Sequence, residues 1–165
     1  MAQSQTTTER HCQPCTACCD GWVRIAIEGI EVYPGHPCPH STGSGCRIYA
    51  ERPVDPCVNF ECGWKQAGSP LPAWLRPDLA GVMLLPGAFA WNGLPVDVAV
   101  PVGPRIPEAA LAWLKEQALK TRRPLIYLEQ RDGDGMQREQ DAIAFGPPAF
   151  QAEMARRLAA GERFW

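Results

Sequence analysis

Apolar and polar positions alternate most clearly in the second half of the chain, where they predict strands. The segment 94–102 has valine at every second position from 96 to 102, which indicates a strand despite its two prolines. The segment 124–128 predicts a second strand. The segment 137–145 predicts a third strand, joined to the second through a turn of alternating aspartate and glycine at 132–135.

Two helical patterns flank these strands. Pro107 is suited to the first position of a helix that runs to about Thr121, and a proline at 147 or 148 begins a final helix that runs to about Ala160. The expected apolar faces are Leu111, Leu114, Ala118 and Leu119 on the first helix, and Phe150, Met154 and Leu158 on the second. Region 78–165 is therefore predicted to be α+β, with about three strands and two helices.

The first part of the chain has a different pattern. Alternation at 21–27 predicts one short strand, but the segment 33–46 is dense in proline and glycine and predicts a loop. Such a segment buries too little apolar surface to order itself, so we expect a cross-link to stabilise it. We predict a loop-rich cysteine lobe at 10–66 and a linker at 67–76, with the α+β region packed on the lobe as a single unit.

Cysteine is confined to this first part. The chain of 165 residues has eight cysteines, all within the first 62 positions. They are Cys12, Cys15, Cys18, Cys19, Cys38, Cys46, Cys57 and Cys62. The N-terminal segment has no apolar run typical of a secretory signal, so we expect a cytoplasmic protein with reduced thiols. Metal ligation is then the favoured role, and a four-disulfide scaffold is the alternative.

Overall composition narrows the partners. The formal net charge is -2 and hydrophobic residues make up 45% of the chain, which is ordinary for a globular protein. No basic footprint indicates nucleic-acid binding. No segment approaches the roughly 18 apolar residues that cross a bilayer. We therefore expect a metal ion as the partner, with neither nucleic acid nor membrane; the sequence identifies no protein partner.

Cysteine spacing bears on which metal is bound. Thiolates are soft ligands for zinc, copper(I) and iron–sulfur clusters. The triplet Cys12, Cys15 and Cys18 has the i, i+3, i+6 spacing of a run that wraps a cubane cluster, and Cys38 is a candidate for the distant fourth ligand. The later cysteines do not repeat the Cys-x2-Cys knuckle of structural zinc sites. An iron–sulfur cluster is thus slightly favoured over zinc, and both remain open.

The neighbours Cys18 and Cys19 are unusual for one mononuclear site, because adjacent side chains usually diverge. One of them can serve a second metal, bridge two metals or remain free. Eight thiolates can fill two four-sulfur zinc sites, or hold one cluster and leave four cysteines for other work. His11, His36 and His40 lie beside the cysteines in sequence, and His40 is the first candidate among them for an additional ligand.

A family resemblance rests on three motifs. These are Cys-x2-Cys-x2-Cys-Cys at 12–19, Cys-Arg-Ile-Tyr-Ala-Glu-Arg-Pro at 46–53, and Cys-Val-Asn-Phe-Glu-Cys-Gly-Trp at 57–64. Together they resemble the bacterial CxxCxxCC cysteine-cluster family, described as zinc- or iron-chelating and related to the cysteine cluster of flagellin lysine N-methylases. The resemblance covers residues 12–64 and implies metal chelation by all or most of the eight cysteines. Val58 departs from the basic residue that is typical there.

The functional hypothesis is therefore a metal-binding protein, with a redox or group-transfer metalloenzyme as the alternative. The C-terminal hundred residues have no recognisable family motif, so the resemblance does not extend to methylase activity. The chain has neither a nucleophile elbow nor a phosphate-binding glycine loop, and the sequence identifies no catalytic residue.

Overall fold

The structure is a computed structural model that describes residues 9–133, 135 and 138–165. Within these residues it has six strands and three α-helices. The strands are β1 (Ile25–Ile27), β2 (Ile30–Val32), β3 (Val82–Trp91), β4 (Leu94–Pro101), β5 (Leu125–Tyr127) and β6 (Ile143–Phe145). The α-helices are α1 (Pro77–Ala80), α2 (Glu108–Thr121) and α3 (Pro148–Ala159). Short 3-10 turns at Tyr49–Glu51, Ala73–Leu75 and Glu139–Asp141 and a π-helical turn at Val54–Val58 join them.

The main sheet has the strand order β3-β4-β5-β6. Strands β3 and β4 form an antiparallel hairpin, and the two residues between them, Asn92 and Gly93, both have positive φ. Asn-Gly is typical of the tight hairpin turn whose twist matches the flanking strands. Strand β4 then pairs in parallel with β5 through the crossover helix α2, and β6 returns antiparallel to β5. The predicted α+β class is confirmed at this level.

The sheet is covered on both faces, and alternate side chains of β4 face the two sides. Three valines of β4 (96, 98 and 100) face the same cluster as the apolar stripe of α3. Ala99 faces the opposite cluster, which contains Leu111 and Leu114 of α2. All these side chains are buried, so both sets of alternate positions contribute to a core. The predicted stripe of Phe150, Met154 and Leu158 is confirmed.

The cysteine-containing part of the chain packs on the α3 face of the sheet. Ala17 is buried in the same cluster as Met83 of β3, and Trp22 and Phe60 pack against that cluster. Strands β1 and β2 form a separate two-stranded hairpin. The strand predicted at 21–27 is confirmed only at its C-terminal end, and its partner β2 was not predicted.

Several expectations for the second half need correction. The α+β region has four strands instead of three within the described residues, because β3 was missed. The third predicted strand is shorter than expected: β6 begins at Ile143, a 3-10 turn occupies Glu139–Asp141, and Gln137 lies outside the described residues. The predicted linker is folded, since Leu71 and Leu75 are buried in the α2 cluster. Such burial anchors the segment that follows the last cysteine to the sheet.

A buried arginine ties the cysteine-containing part to the sheet. The Arg131 guanidinium donates to the backbone oxygen of Pro101 at 2.8 Å and 3.0 Å, and to that of Trp22 at 2.5 Å. Burial lowers the pKa of Arg131 to about 10, which leaves it charged at neutral pH. Its charge-assisted hydrogen bonds join two segments far apart in sequence. None of the helices in the described part of the chain has both the length and the apolar character to cross a membrane.

Two leucines of α2 provide a matched test of the sheet packing. Leu114 is 4% exposed, whereas Leu119, expected on the buried face, is 67% exposed. Leu114→Ala should lower the free energy of unfolding by about 2–5 kcal/mol, because it leaves a cavity against the sheet. Leu119→Ala should change it by less than about 0.5 kcal/mol. Urea denaturation followed by circular dichroism measures both, and equal losses would contradict the described orientation of α2.

Candidate metal centre

All eight cysteines line one cavity of about 80 Å³. Three segments bring them there: 12–19, 38–46 and 57–62. All eight are free thiols in the structure, which does not contain the disulfides of the scaffold alternative. The cavity therefore gathers every thiol of the protein, although these residues are up to 50 positions apart in sequence.

The first segment folds into a tight turn that presents Cys18 and Cys19. The N–H of Asp20 donates to the carbonyl oxygen of Thr16 at 2.8 Å, and the Asp20 carboxylate accepts from the Thr16 hydroxyl at the same distance. Gly21 follows with φ +87, and a Cβ there would lie 2.3 Å from the backbone of Tyr33. Glycine is therefore required at this close approach of two chain segments.

The second segment is fixed against the first by its backbone. The N–H of Cys38 donates to the carbonyl oxygen of Cys19 at 2.7 Å. The N–H of Ser41 donates to the Cys38 carbonyl oxygen at 2.9 Å, and Ser41 forms an isolated antiparallel bridge with Cys46. These contacts place Cys38 and Cys46 on the Cys19 side of the cavity.

The third segment is anchored to the main sheet. The N–H of Gly63 donates to the carbonyl oxygen of Leu84 at 2.7 Å, which fixes the preceding Cys62 beside the edge strand β3. A Cβ at Gly63 would lie 3.1 Å from that oxygen and 3.0 Å from Pro86, so a side chain would force the strand away. The missed strand β3 is thus part of what positions the cavity.

Burial dominates the electrostatics of the thiols. It raises the pKa of Cys15 to about 11, even though hydrogen bonds to the backbone of Ala17 and Asp78 favour its thiolate. Burial is also the largest cause of the raised pKa of Cys12, Cys38, Cys57 and Cys62. A bound metal cation offsets this cost because it stabilises thiolate directly.

The adjacent pair behaves differently. A hydrogen bond between the two side chains raises the pKa of Cys18 and lowers that of Cys19. The Cys18 thiol is therefore the donor when Cys19 is ionised. This makes Cys19 the cysteine in the cavity with the most thiolate character among those whose pKa is shifted.

Two cationic side chains line the cavity beside the thiols. Lys65 and Arg52 both lower the pKa of Cys12, although burial outweighs them. The Arg52 guanidinium stacks 4.0 Å from the centre of the Tyr49 ring and donates to the Tyr49 carbonyl oxygen at 2.5 Å. The Tyr-x2-Arg-Pro sequence at 49–53 therefore places a positive charge beside the thiols.

The cavity contains one buried hydrogen-bond donor that bears on metal binding. The indole N–H of Trp64, a residue that lines the cavity, is buried and has no acceptor among the described residues. A thiolate or an inorganic sulfide is a suitable acceptor for such a donor. However, no three His, Cys, Asp or Glu side chains in the described ranges form a group that could hold a metal ion. The thiols surround the cavity without meeting at one point.

The predicted ligands are brought together differently from the sequence-based grouping. Beside Cys15 and Cys18, the distant cysteine is Cys62, whereas the predicted fourth ligand Cys38 packs with Cys19 and Cys57. Spacing alone does not reveal this difference, because Cys62 is positioned by the hydrogen bond of the following Gly63 to Leu84 of β3. The Asp78 contact to Cys15 was also missed, since it comes from α1 beyond the cysteine region.

The three histidines differ in position. His40 lines the cavity, and its ring nitrogen Nε2 lies 3.3 Å from the Glu28 carboxylate. His36 is exposed and stacks on Tyr33, with 5.0 Å between ring centres. His11 is exposed. Among the histidines, the structure therefore favours His40 as the candidate additional ligand.

The fold and the cavity define a mixed α+β protein with a thiol-lined site. Comparison with protein-family models, with curated proteins and with solved structures finds no match for this chain. The resemblance to the CxxCxxCC family therefore stays a prediction that rests on the three motifs.

The Tyr49–Arg52 contact can be tested with a matched pair. Arg52→Lys keeps the charge but loses the planar stacking and the hydrogen-bond geometry of the guanidinium. We expect it to lower the free energy of unfolding by roughly 1 kcal/mol. Arg47→Lys, at an exposed neighbouring position, should change it by less than about 0.5 kcal/mol. Chemical denaturation at matched metal content distinguishes them, and an unchanged Arg52 variant would contradict the structural role of the contact.

Proposed function

We propose that this protein binds a metal group through the thiolates of its eight cysteines. The metal group is zinc or an iron–sulfur cluster, and the cluster is slightly favoured over zinc. The observation that supports this most directly is the single cavity that all eight thiols line. Soft thiolate donors prefer these metals over oxygen-seeking cations. Three sequence segments converge on that cavity, and each is positioned by backbone contacts that leave its thiols facing the others.

The number of thiols favours more than one metal ion. One zinc ion or one cubane cluster is held by four thiolates, and eight thiols line this cavity of about 80 Å³. The described residues contain no group of three ligands already placed to hold one ion, so metal binding would draw the thiols closer together.

Metal ligation also accounts for the stability of a loop-rich segment. The hairpin β1–β2 has three residues in each strand, and much of the remaining chain up to Cys62 is turns and irregular backbone. Isolated hairpins of this size are marginally stable in water. Metal-binding free energy becomes folding free energy when the site forms only in the folded chain. The resemblance to a zinc- or iron-chelating family is consistent with this role.

A metalloenzyme is the second candidate, and the Cys18–Cys19 pair favours it. Cys19 is half-buried, lines the cavity and has a lowered pKa because Cys18 donates a hydrogen bond to it. A thiolate with these properties is suited to nucleophilic chemistry. Alkylation of the metal-loaded protein separates the candidates: one reactive thiol at Cys19 favours the enzyme, whereas eight protected thiols favour the binding protein.

The first experiment identifies the metal. The protein is purified anaerobically, and iron, zinc and acid-labile sulfide per chain are measured on one sample together with its absorption spectrum. Iron and sulfide in equal amounts with a broad visible absorption band identify an iron–sulfur cluster, whereas zinc without colour identifies zinc thiolate. Protein without stoichiometric metal would refute the proposal.

Individual ligand variants provide the second prediction. Cys12→Ser, Cys15→Ser and Cys18→Ser should each lower metal content and the free energy of unfolding, because serine is a poor ligand for these metals. Ala50→Ser introduces the same residue at an exposed site in the same region and serves as the control. Metal analysis and denaturation measure both effects. If all three variants keep full metal and full stability, the ligand assignment is wrong.

Acid should release the metal. Protons compete with metal for thiolate, and burial raises the pKa of Cys12, Cys15, Cys38, Cys57 and Cys62, so these five thiols take up a proton more readily than a free cysteine. Metal content after gel filtration should therefore be full in alkaline buffer and fall as the pH is lowered. Full retention from pH 8 down to about pH 4 would contradict thiolate ligation.

A further inference from the structure

We propose that the eight cysteines form two separate four-thiolate metal sites, with the adjacent pair contributing one thiolate to each. The first site is Cys12, Cys15, Cys18 and Cys62, and the second is Cys19, Cys38, Cys46 and Cys57. This inference rests on the proposed metal-binding function and adds the number of sites and the ligands of each.

Side-chain packing divides the cysteines in this way. Cys15, Cys18 and Cys62 pack against the apolar cluster that contains Met83 of the main sheet. Cys19 and Cys57 pack instead with Cys38 in a different cluster, formed on Ile27 and Val32 of the small hairpin. The two groups therefore lie against different parts of the fold, although they face one cavity.

Backbone contacts support the same division. The N–H of Cys38 donates a hydrogen bond to the carbonyl oxygen of Cys19. Ser41 donates to the carbonyl oxygen of Cys38 and forms the isolated antiparallel bridge with Cys46. Cys62 is fixed to the main sheet by its neighbour Gly63. The second site is therefore built from contacts within the cysteine lobe, whereas the first is built where that lobe meets the sheet.

The electrostatic neighbours of the thiols agree with this packing. Repulsion from Cys62 contributes to the raised pKa of both Cys12 and Cys15. In the other group, Cys19 and Cys46 contribute to the raised pKa of Cys38. The same two thiols and Cys38 contribute to the raised pKa of Cys57. Repulsion from Cys19 also contributes weakly to the raised pKa of Cys12, which indicates that the two groups adjoin.

The adjacent pair lies where the two sites meet. The side chains of Cys18 and Cys19 are hydrogen-bonded to each other, yet Cys18 packs against the sheet-facing cluster and Cys19 against the hairpin cluster. The pair therefore joins the two groups and contributes one thiol to each. Four thiolates complete a tetrahedral zinc site or a cubane cluster, so eight complete two.

Charge compensation is consistent with paired sites. Lys65 lowers the pKa of Cys12 and Cys62, both in the first group. Arg52 lowers the pKa of Cys12 and of Cys57, so its positive charge acts on both groups. A cation between two thiolate sites reduces the repulsion between them.

The test uses the full chain with ¹¹³Cd²⁺, a thiophilic probe for tetrathiolate sites, and compares paired serine variants by native mass spectrometry after a chelator challenge. The unchanged protein should bind two cadmium ions. Cys15→Ser combined with Cys62→Ser should retain one, as should Cys38→Ser combined with Cys57→Ser. The variant that combines Cys15→Ser with Cys57→Ser should retain fewer cadmium ions than either of these paired variants, because it removes one ligand from each site.

Cadmium NMR of the unchanged chain keeps the test independent of variant folding. Two ¹¹³Cd resonances without mutual coupling are expected from separate sites. One resonance, or two coupled through a shared sulfur, would overturn the division while leaving metal binding intact. A chain that binds no cadmium and contains no metal when purified anaerobically would refute the proposed function and this inference together.

Discussion

The arrangement of this protein depends on the burial of ionisable thiols around a common cavity. Burial disfavours the thiolate form, as the raised pKa of Cys15 shows most clearly. Buried thiols with raised pKa values are neutral at neutral pH, and a soft cation that stabilised their thiolates would offset the cost of ionising them. The nearby charges of Lys65 and Arg52 offset part of it, but burial remains the largest cause of the shift at Cys12.

The four-stranded sheet provides the rigid surface on which this cavity is built. One face is covered by α2 and the segment with Leu71 and Leu75, and the other is shared by α3 and the cysteine-containing part. Because the N–H of Gly63 donates to Leu84 of β3, a strand of the α+β region determines where the neighbouring Cys62 thiol lies. Arg131 adds a second connection, because its guanidinium donates hydrogen bonds to the carbonyl oxygens of Pro101 in β4 and of Trp22. The two regions predicted from composition therefore depend on each other for the geometry of the site.

Much of the second half of the chain was predictable because its signals are local. Alternating valines identified β4, and the spacing of Phe150, Met154 and Leu158 identified the buried side of α3. Strand β3 was missed because Pro86 and Gly87 interrupt its apolar run, at the point where its register with β4 shifts. The Asn92-Gly93 turn that follows is the signal that would have revealed it. Leu119 was misplaced because helical spacing does not show how far along α2 the sheet extends.

The sequence by itself determined which residues carry the thiols of the cavity, because eight cysteines lie within 51 positions and none follows them. Only the tertiary structure decided which thiols are neighbours. Ligand spacing along the chain is a local property, so it grouped the triplet at 12–18 with Cys38. The position of Cys62 near Cys12 and Cys15 depends instead on the hydrogen bond of Gly63 to β3. The position of Cys38 near Cys19 depends on a backbone hydrogen bond between those two residues. Both are long-range contacts that form only when the lobe packs on the sheet and on its own hairpin.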